Sequence, residues 1–221
     1  KDLMPPPDPN LPPWKRLKPL PIVFVVGLFA LVWWRGEDNE ERRKRRGFEP
    51  VQVIGQHTVF QGKTMGTTFR VKLSGKLPET HGRALLSAVN KELEAVNAAM
   101  STYQPTSELS RFNALAVNES LTLSPPTAAV LTLSLAVGVK SSGAFDVTVG
   151  PLVNAWGFGA KGTQKAPDDA TLKALRRTVG AQRVLQFTPK SRVVSKKVPG
   201  VALDFSAVAK GFAVDKVAER L

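Results

Sequence analysis

Cysteine is absent from this 221-residue chain, and histidine, tyrosine and methionine number only 2, 1 and 3. Without cysteine there is no disulfide, no thiolate metal site, no cysteine nucleophile and no lipid-modified cysteine of the lipoprotein kind. The two histidines stand far apart in the sequence. His57 falls near the edge of the predicted domain and His81 at the start of a predicted helix, so both read as surface residues and lend little support to a Ser-His hydrolase or a histidine-built zinc site. No phosphate loop of the form G-x-x-x-x-G-K-[ST] occurs, and no internal repeat is visible. There is no initiator methionine, and the last helical pattern is cut off in mid-course, which reads as a fragment.

Acidic residues are also in deficit, 18 against 31 Lys and Arg, for a net charge of +13. Residues 1–50 carry 10 basic and 7 acidic side chains and residues 51–221 carry 21 and 11, so most of the excess belongs to the predicted folded part. Such a surplus favours an anionic ligand or surface. Nucleic acid is a poor candidate, because the basic residues are scattered over helices and hairpins without clustered aromatics.

Four segments follow from composition. Residues 1–18 are Pro-rich. Residues 19–35 contain "PLPIVFVVGLFALVWW", 16 uncharged positions flanked by Lys15, Arg16 and Lys18 on one side and by Arg35 on the other. A full span needs about 20 residues, a requirement that flanking Lys and Trp relax by snorkelling. The Trp pair and the lack of a small-x-small cleavage site favour an uncleaved membrane anchor over a secretion signal. Residues 36–50 form a charged linker, and residues 51–221 a single globular domain. The basic cluster at 42–46 pulls its side of the anchor toward the cytoplasm.

Within the domain, Phe69, Val71 and Leu73 alternate with Arg70 and Lys72, which predicts a half-buried strand. Leu85, Leu86, Val89, Leu93, Val96 and Met100 recur at helical spacing and predict a helix from residue 79 to about 99. A second helix is expected over 127–141 with Thr127 as its cap, and a third from Asp168 or Asp169 to about 179, with Gly180 just past its end. "RVLQFTPKSRVVS" predicts a hairpin turning at Pro189-Lys190, and "VALDF" one more strand. Strands interleaved with helices give an α+β, mixed α/β layered domain, preceded by the anchor helix.

Gly157, Gly159 and Gly162 spell the dinucleotide pattern G-x-G-x-x-G, but "LVNAW" before them is no strand and Gln182 stands where the ribose-binding acid belongs, so the match is a decoy. "LDFSAVAKGFAVDKVAERL", residues 203–221, is more informative. With Ser206 as N-cap, the first turn would expose free N–H groups and a positive dipole end to a phosphate. At roughly 100° per residue, Gly211 would share a packed face with Val214, Ala218 and Leu221. Lys210 would lie one turn from the N-terminus, where a cation is unfavourable without a nearby anion. The plainer alternative has Lys210 reaching into solvent and Asp204 capping the turn. Likewise Phe145 is either core or a flat-ligand contact, and Tyr103 either a stacking platform or a shield for the end of the long helix.

Taken in order, "KTMGTTF", "MSTYQPTSELSRFN", "GAFDVTVGPLVNAWGFG" and "LDFSAVAKGFAVDKVAERL" resemble the ApbE-type FAD:protein FMN transferases over residues 61–221. The resemblance implies binding of FAD with Mg²⁺, transfer of the FMN portion to a threonine hydroxyl of a target flavoprotein, and release of AMP. It assigns FAD contacts to Met65, Tyr103, the Ala144-Phe145-Asp146 run and Lys210, a position where some relatives carry Glu. It assigns a metal contact to the backbone carbonyl of Ala207. It also implies a C-terminal section with a His-x-x-Asp-Pro-like block and further metal ligands beyond Leu221, so the catalytic residues proper are not named within this chain. A domain on the outer face of the cytoplasmic membrane, facing its flavoprotein clients, is expected on the same ground. The rival reading is a membrane-tethered FAD-binding protein without transferase activity.

Overall fold

Alternating side chains zip the first strands of the domain into an antiparallel meander: β1 (Val51–Ile54), β2 (His57–Thr64) and β3 (Thr67–Ser74), in that order across the sheet. In β3, Phe69, Val71 and Leu73 are half-buried while Arg70 and Lys72 face outward, as the sequence alternation predicts. The β2–β3 turn is two residues long, pairing Thr64 with Thr67, and both of its residues have positive φ, +49° at Met65 and +70° at Gly66. That geometry matches the right-handed twist of a hairpin, but it usually recruits Asn or Gly rather than Met at the first position. The structure, a computed structural model, describes residues 51–160 and 166–221. The expected Pro-rich segment, anchor and charged linker lie outside the described residues. Among those described, no helix is long and apolar enough to cross a membrane.

Helix α1 (Glu79–Met100) starts after Pro78 and buries Leu86, Val89, Leu93, Val96 and Met100, the stripe its spacing dictates. It packs on β1 and β2, on α2 (Glu108–Ala114) and on the last helix. A second sheet, ordered β4-β6-β5, is built from β4 (Ser120–Thr122), β5 (Leu185–Thr188) and β6 (Val193–Lys196), with the expected hairpin between the last two. The core collects α1, α2, α3 (Pro125–Lys140), the runs around Val147 and Val201, and α7 (Ala209–Arg220). This is a mixed α/β architecture.

Three local expectations fail for identifiable reasons. Thr127 does not cap α3. The two prolines occupy the first helical positions, where their missing N–H groups cost nothing. Thr127 and Ser124 instead bond the buried carboxylate of Glu108. Its oxygens accept the Ser124 N–H at 2.5 Å, the Ser124 hydroxyl at 2.6 Å and the Thr127 hydroxyl at 2.5 Å. "VALDF" forms no ladder; its only bridge joins Ala202 to Val149 in parallel. The approach there is close: a Cβ on Gly150 would meet the Ala202 carbonyl oxygen at 2.8 Å, so only glycine admits it. The stretch "GPLVNA", whose flanking glycines and lack of periodicity suggest irregular chain, is the short helix α4 (Gly150–Ala155).

Asp168 does cap α5 (Asp169–Leu175), accepting the Thr171 N–H at 2.7 Å, and the Thr171 side chain together with that N–H holds its carboxyl below the usual range. A 3-10 turn (Arg176–Thr178) continues it, and Gly180, with φ +111°, then opens α6 (Ala181–Val184). Lys196 is nearly fully buried and donates to the carbonyls of Asn113 and Leu115 at 2.8 and 2.9 Å, tying off the end of α2. Burial lowers its pKa from the ordinary lysine value, while the charge of Glu119 opposes that shift.

Candidate functional site

The stretch from Asp204 to Lys210 is the hinge of the site, and its geometry differs from the sequence expectation. The Asp204 N–H donates to the Val147 carbonyl at 2.8 Å, and the Asp204 carboxylate accepts the Ser206 N–H at 2.7 Å. The carbonyl of buried Phe205 then accepts from both Val208 and Ala209, at 2.9 and 2.7 Å, closing a turn over residues 206–208. Helix α7 therefore begins at Ala209, with Val208 before it and no side-chain cap. Ser206 is not the N-cap. Asp204 caps the turn, as the plainer reading had it.

The helix wheel changes accordingly. Ala209, Ala213 and Val217 are the buried face, set against α1, and their small side chains allow the close packing expected of Gly211. Gly211, Val214 and Ala218 face outward, and nothing lies within 4 Å of a Cβ built on Gly211. Lys210 sits in the first turn of α7 with its side chain exposed. Ala207, the expected metal contact, lies exposed in the preceding turn.

Three distant segments meet in front of this turn. Met65 and Gly66 from the β2–β3 hairpin, Asn97, Met100 and the loop through Tyr103 at the end of α1, Phe158 beyond α4, and Ser206, Ala209 and Lys210 line one cavity of about 540 Å³. The loop is fixed locally. The Ser101 hydroxyl accepts the N–H groups of Tyr103 and Gln104 at 3.2 and 3.3 Å, and the Ser101 carbonyl accepts the Ser107 hydroxyl at 2.5 Å. Tyr103 is 66 % exposed, with its hydroxyl on the Phe158 carbonyl at 3.2 Å. Its ring thus stands in solvent, held at both ends. Met65, the non-glycine residue of the tight turn, presents an adaptable thioether in a backbone state that residues rarely adopt away from functional sites.

Thr102 and Tyr103 also line a second cavity of about 470 Å³ with Asn113, Gly150, Asn154, Ala202 and Asp204. The two cavities share Thr102 and Tyr103 as the wall of a two-lobed cleft, each lobe within the volume range of small-molecule sites. Phe145 and Asp146 lie elsewhere, lining a third cavity of about 360 Å³ with the end of α3 and the start of α6. The Asp146 carboxylate is already engaged, by the Thr148 N–H at 2.7 Å, the Thr148 hydroxyl at 2.5 Å and the Ala181 N–H at 2.8 Å. Ala144 is exposed beside them. The structure thus brings Met65, Tyr103 and Lys210 together and keeps the Ala144-Phe145-Asp146 run apart from them.

A family model described as the ApbE family matches residues 65–221, from the Met65 turn to the end of α7. The chain belongs to the ApbE family. Among similar ApbE-family proteins, the FAD:protein FMN transferase of Haemophilus influenzae is 43 % identical over 169 residues, covering 73 % of this chain and 48 % of its own length. The solved structure of the flavin transferase ApbE from Vibrio cholerae superposes with a TM-score of 0.69 at 36 % identity, over 77 % of this chain and 53 % of that one. For the apo form of the Pseudomonas stutzeri flavinyl transferase ApbE, the values are 0.66 and 32 %, over 76 % and 56 %. The chain spans about half the length of the curated relatives it matches.

Several residues of the ApbE-family cleft escaped selection from sequence. Phe158 is 77 % exposed and sits between the glycines set aside as a decoy fingerprint, yet an aromatic between glycines was itself a usable signal. Gly157 and Gly159 follow α4 rather than a strand, and Gly162 lies outside the described residues. Asn97, Asn113 and Asn154 carried no signal, since an asparagine on a helix is commonplace.

Proposed function

We propose that the protein is an FAD:protein FMN transferase that takes FAD into the two-lobed cleft and passes its FMN portion to a threonine hydroxyl of a target flavoprotein. The observation that carries this reading is the convergence of Met65, Tyr103 and Lys210 on one cavity from segments far apart in sequence. Tyr103 offers an exposed ring face for a flat heterocycle, and Lys210 a cation for a phosphate. The exposed turn at 206–208 adds backbone groups beside that cation. In the reaction the threonine oxygen bonds to the phosphorus of the FMN half, the pyrophosphate P–O bond breaks with its electron pair leaving on AMP, and the hydroxyl proton passes to a base. Little covalent work falls to the protein, whose task is alignment and charge neutralisation.

Mg²⁺ belongs to the same proposal. Among the described residues no group of three or more His, Cys, Asp or Glu gathers as a ligand set. The main-chain carbonyl of Ala207, an exposed residue of the turn before α7, nonetheless suits a hard cation that completes its shell with substrate phosphates and water, the usual habit of Mg²⁺. When bound there, the ion would supply Lewis acidity to the pyrophosphate. Residues 19–35 would hold the domain at the cytoplasmic membrane, on its outer face. Phosphatase and fluorescent-protein fusions after residue 60 are expected to report an extracytoplasmic domain, and the reverse pattern refutes that placement.

The direct test incubates FAD, Mg²⁺ and a flavoprotein carrying an acceptor threonine with two proteins, residues 1–221 alone and the same domain joined to the C-terminal section that the family resemblance implies. FAD binding without transfer is expected of residues 1–221, and in-gel flavin fluorescence of the target with release of one AMP per flavin transferred is expected of the longer protein. FAD binding without transfer by the longer protein would favour the tethered flavin-binding reading, and absence of FAD binding would refute both.

A further inference from the structure

We infer that Asn113 is a positioning residue of the cleft, which sets Asp204 by gripping the backbone of Leu203; the inference rests on the reading of the cleft as an FAD site. Asn113 is the penultimate residue of α2, and its side-chain amide makes two bonds to one residue 90 positions away. Its Nδ2 donates to the Leu203 carbonyl at 2.9 Å and its Oδ1 accepts the Leu203 N–H at 2.8 Å. An amide that takes both main-chain groups of a residue does what a neighbouring strand would do. Here it replaces a ladder, since the run before Asp204 has only the single bridge at Ala202.

The grip is anchored from behind and acts forward. Behind it, the Asn113 carbonyl accepts from buried Lys196 at 2.8 Å, and that ammonium lies 5.3 Å from the centre of the Phe112 ring, so the end of α2 has little freedom. Ahead of it, Leu203 is fully buried and followed directly by Asp204. The Asp204 N–H bonds the Val147 carbonyl and its carboxylate fixes the Ser206 N–H, opening the turn that carries Ala207 and leads into the first turn of α7 with Lys210. Asn113 itself lines the lobe that Asp204 lines. With one hydrogen and one lone pair of the amide committed to Leu203, its duty is to hold the wall in register.

Amide hydrogen exchange on the purified chain reads the grip without ligand. Asn113→Ala is expected to speed exchange at Asp204 and Ser206 at least tenfold while the β2–β3 amides keep their wild-type rates; unchanged exchange at Asp204 and Ser206 overturns the inference. Titration with FAD and Mg²⁺ reads the consequence. Asn113→Ala should weaken binding about tenfold in the wild-type background and add nothing once Asp204→Ala is present, because both act through one group. Fully additive losses overturn the inference, since they mark a direct contact by Asn113 or a general loosening. Asn113→Asp, nearly the same shape, keeps the acceptor for the Leu203 N–H but sets a carboxylate against the Leu203 carbonyl. It should match Asn113→Ala in the titration, and wild-type affinity in this variant overturns the inference by reducing Asn113 to a space-filler. If the wild-type chain takes up no FAD while exchange changes as expected, the FAD reading fails and the grip stands.

Discussion

Replacing Phe205 with alanine is expected to remove about 3–5 kcal/mol of unfolding free energy, the usual cost of deleting a large ring from a packed core. Phe205 is completely buried and belongs to the core cluster that also holds residues of α1, α2 and α7. None of these elements can collapse into the vacancy without leaving its own partners, which puts the cost in the upper range of core truncations. The loss has a local address as well. The Phe205 carbonyl closes the turn at 206–208 by accepting from Val208 and Ala209, so a loosened ring loosens the start of α7. Urea unfolding followed by circular dichroism checks the first effect, with the slope against denaturant held near the wild-type value. A shift under about 1 kcal/mol would show that the ring is no anchor. Phe205→Leu, which keeps much of the apolar volume, should cost clearly less.

Tyr103→Ala is expected to leave stability within about 0.5 kcal/mol of the wild type, because the ring is mostly solvent-exposed. FAD affinity should nevertheless fall about 30-fold, since removing an aromatic face from a stacked heterocycle costs roughly 1–3 kcal/mol. Tyr103→Phe separates ring from hydroxyl. It gives up only the 3.2 Å bond to the Phe158 carbonyl and should bind within about threefold of the wild type. Calorimetric titration of FAD in the presence of Mg²⁺ decides between these outcomes. Equal losses in both variants would move the role from the ring to the hydroxyl, and no loss in either would take the flavin off Tyr103 altogether.

These two residues also show where sequence is informative. The stripe of α1 and the alternation of β3 were legible because burial of one face leaves a periodic trace that survives any tertiary detail. Tyr103 and Lys210 were legible as oddities, an aromatic in a polar loop and a cation at a helix start. The phase of α7 was not. Ser206 looks like a cap, but the main-chain carbonyl of Phe205 performs the closure, and a backbone acceptor leaves no mark in the sequence. The face of α7 that packs inward is the one carrying Ala209, Ala213 and Val217, opposite the one expected, so Gly211 lies in the open. Thr127 failed as a cap for a similar reason: its partner, Glu108, is on another helix. The pairing of Asn113 with Leu203 spans 90 residues and has no local pattern at all.

The outward pair on β3 bears on how copies of the molecule meet. That strand pairs only with β2 and so leaves one side of its ladder unmatched among the described residues. Such a border invites another polypeptide to add itself, strand upon strand, toward insoluble stacks. Arg70 and Lys72 make that encounter one of like charge against like charge, and their repulsion keeps crowded molecules dispersed without asking anything of the cleft.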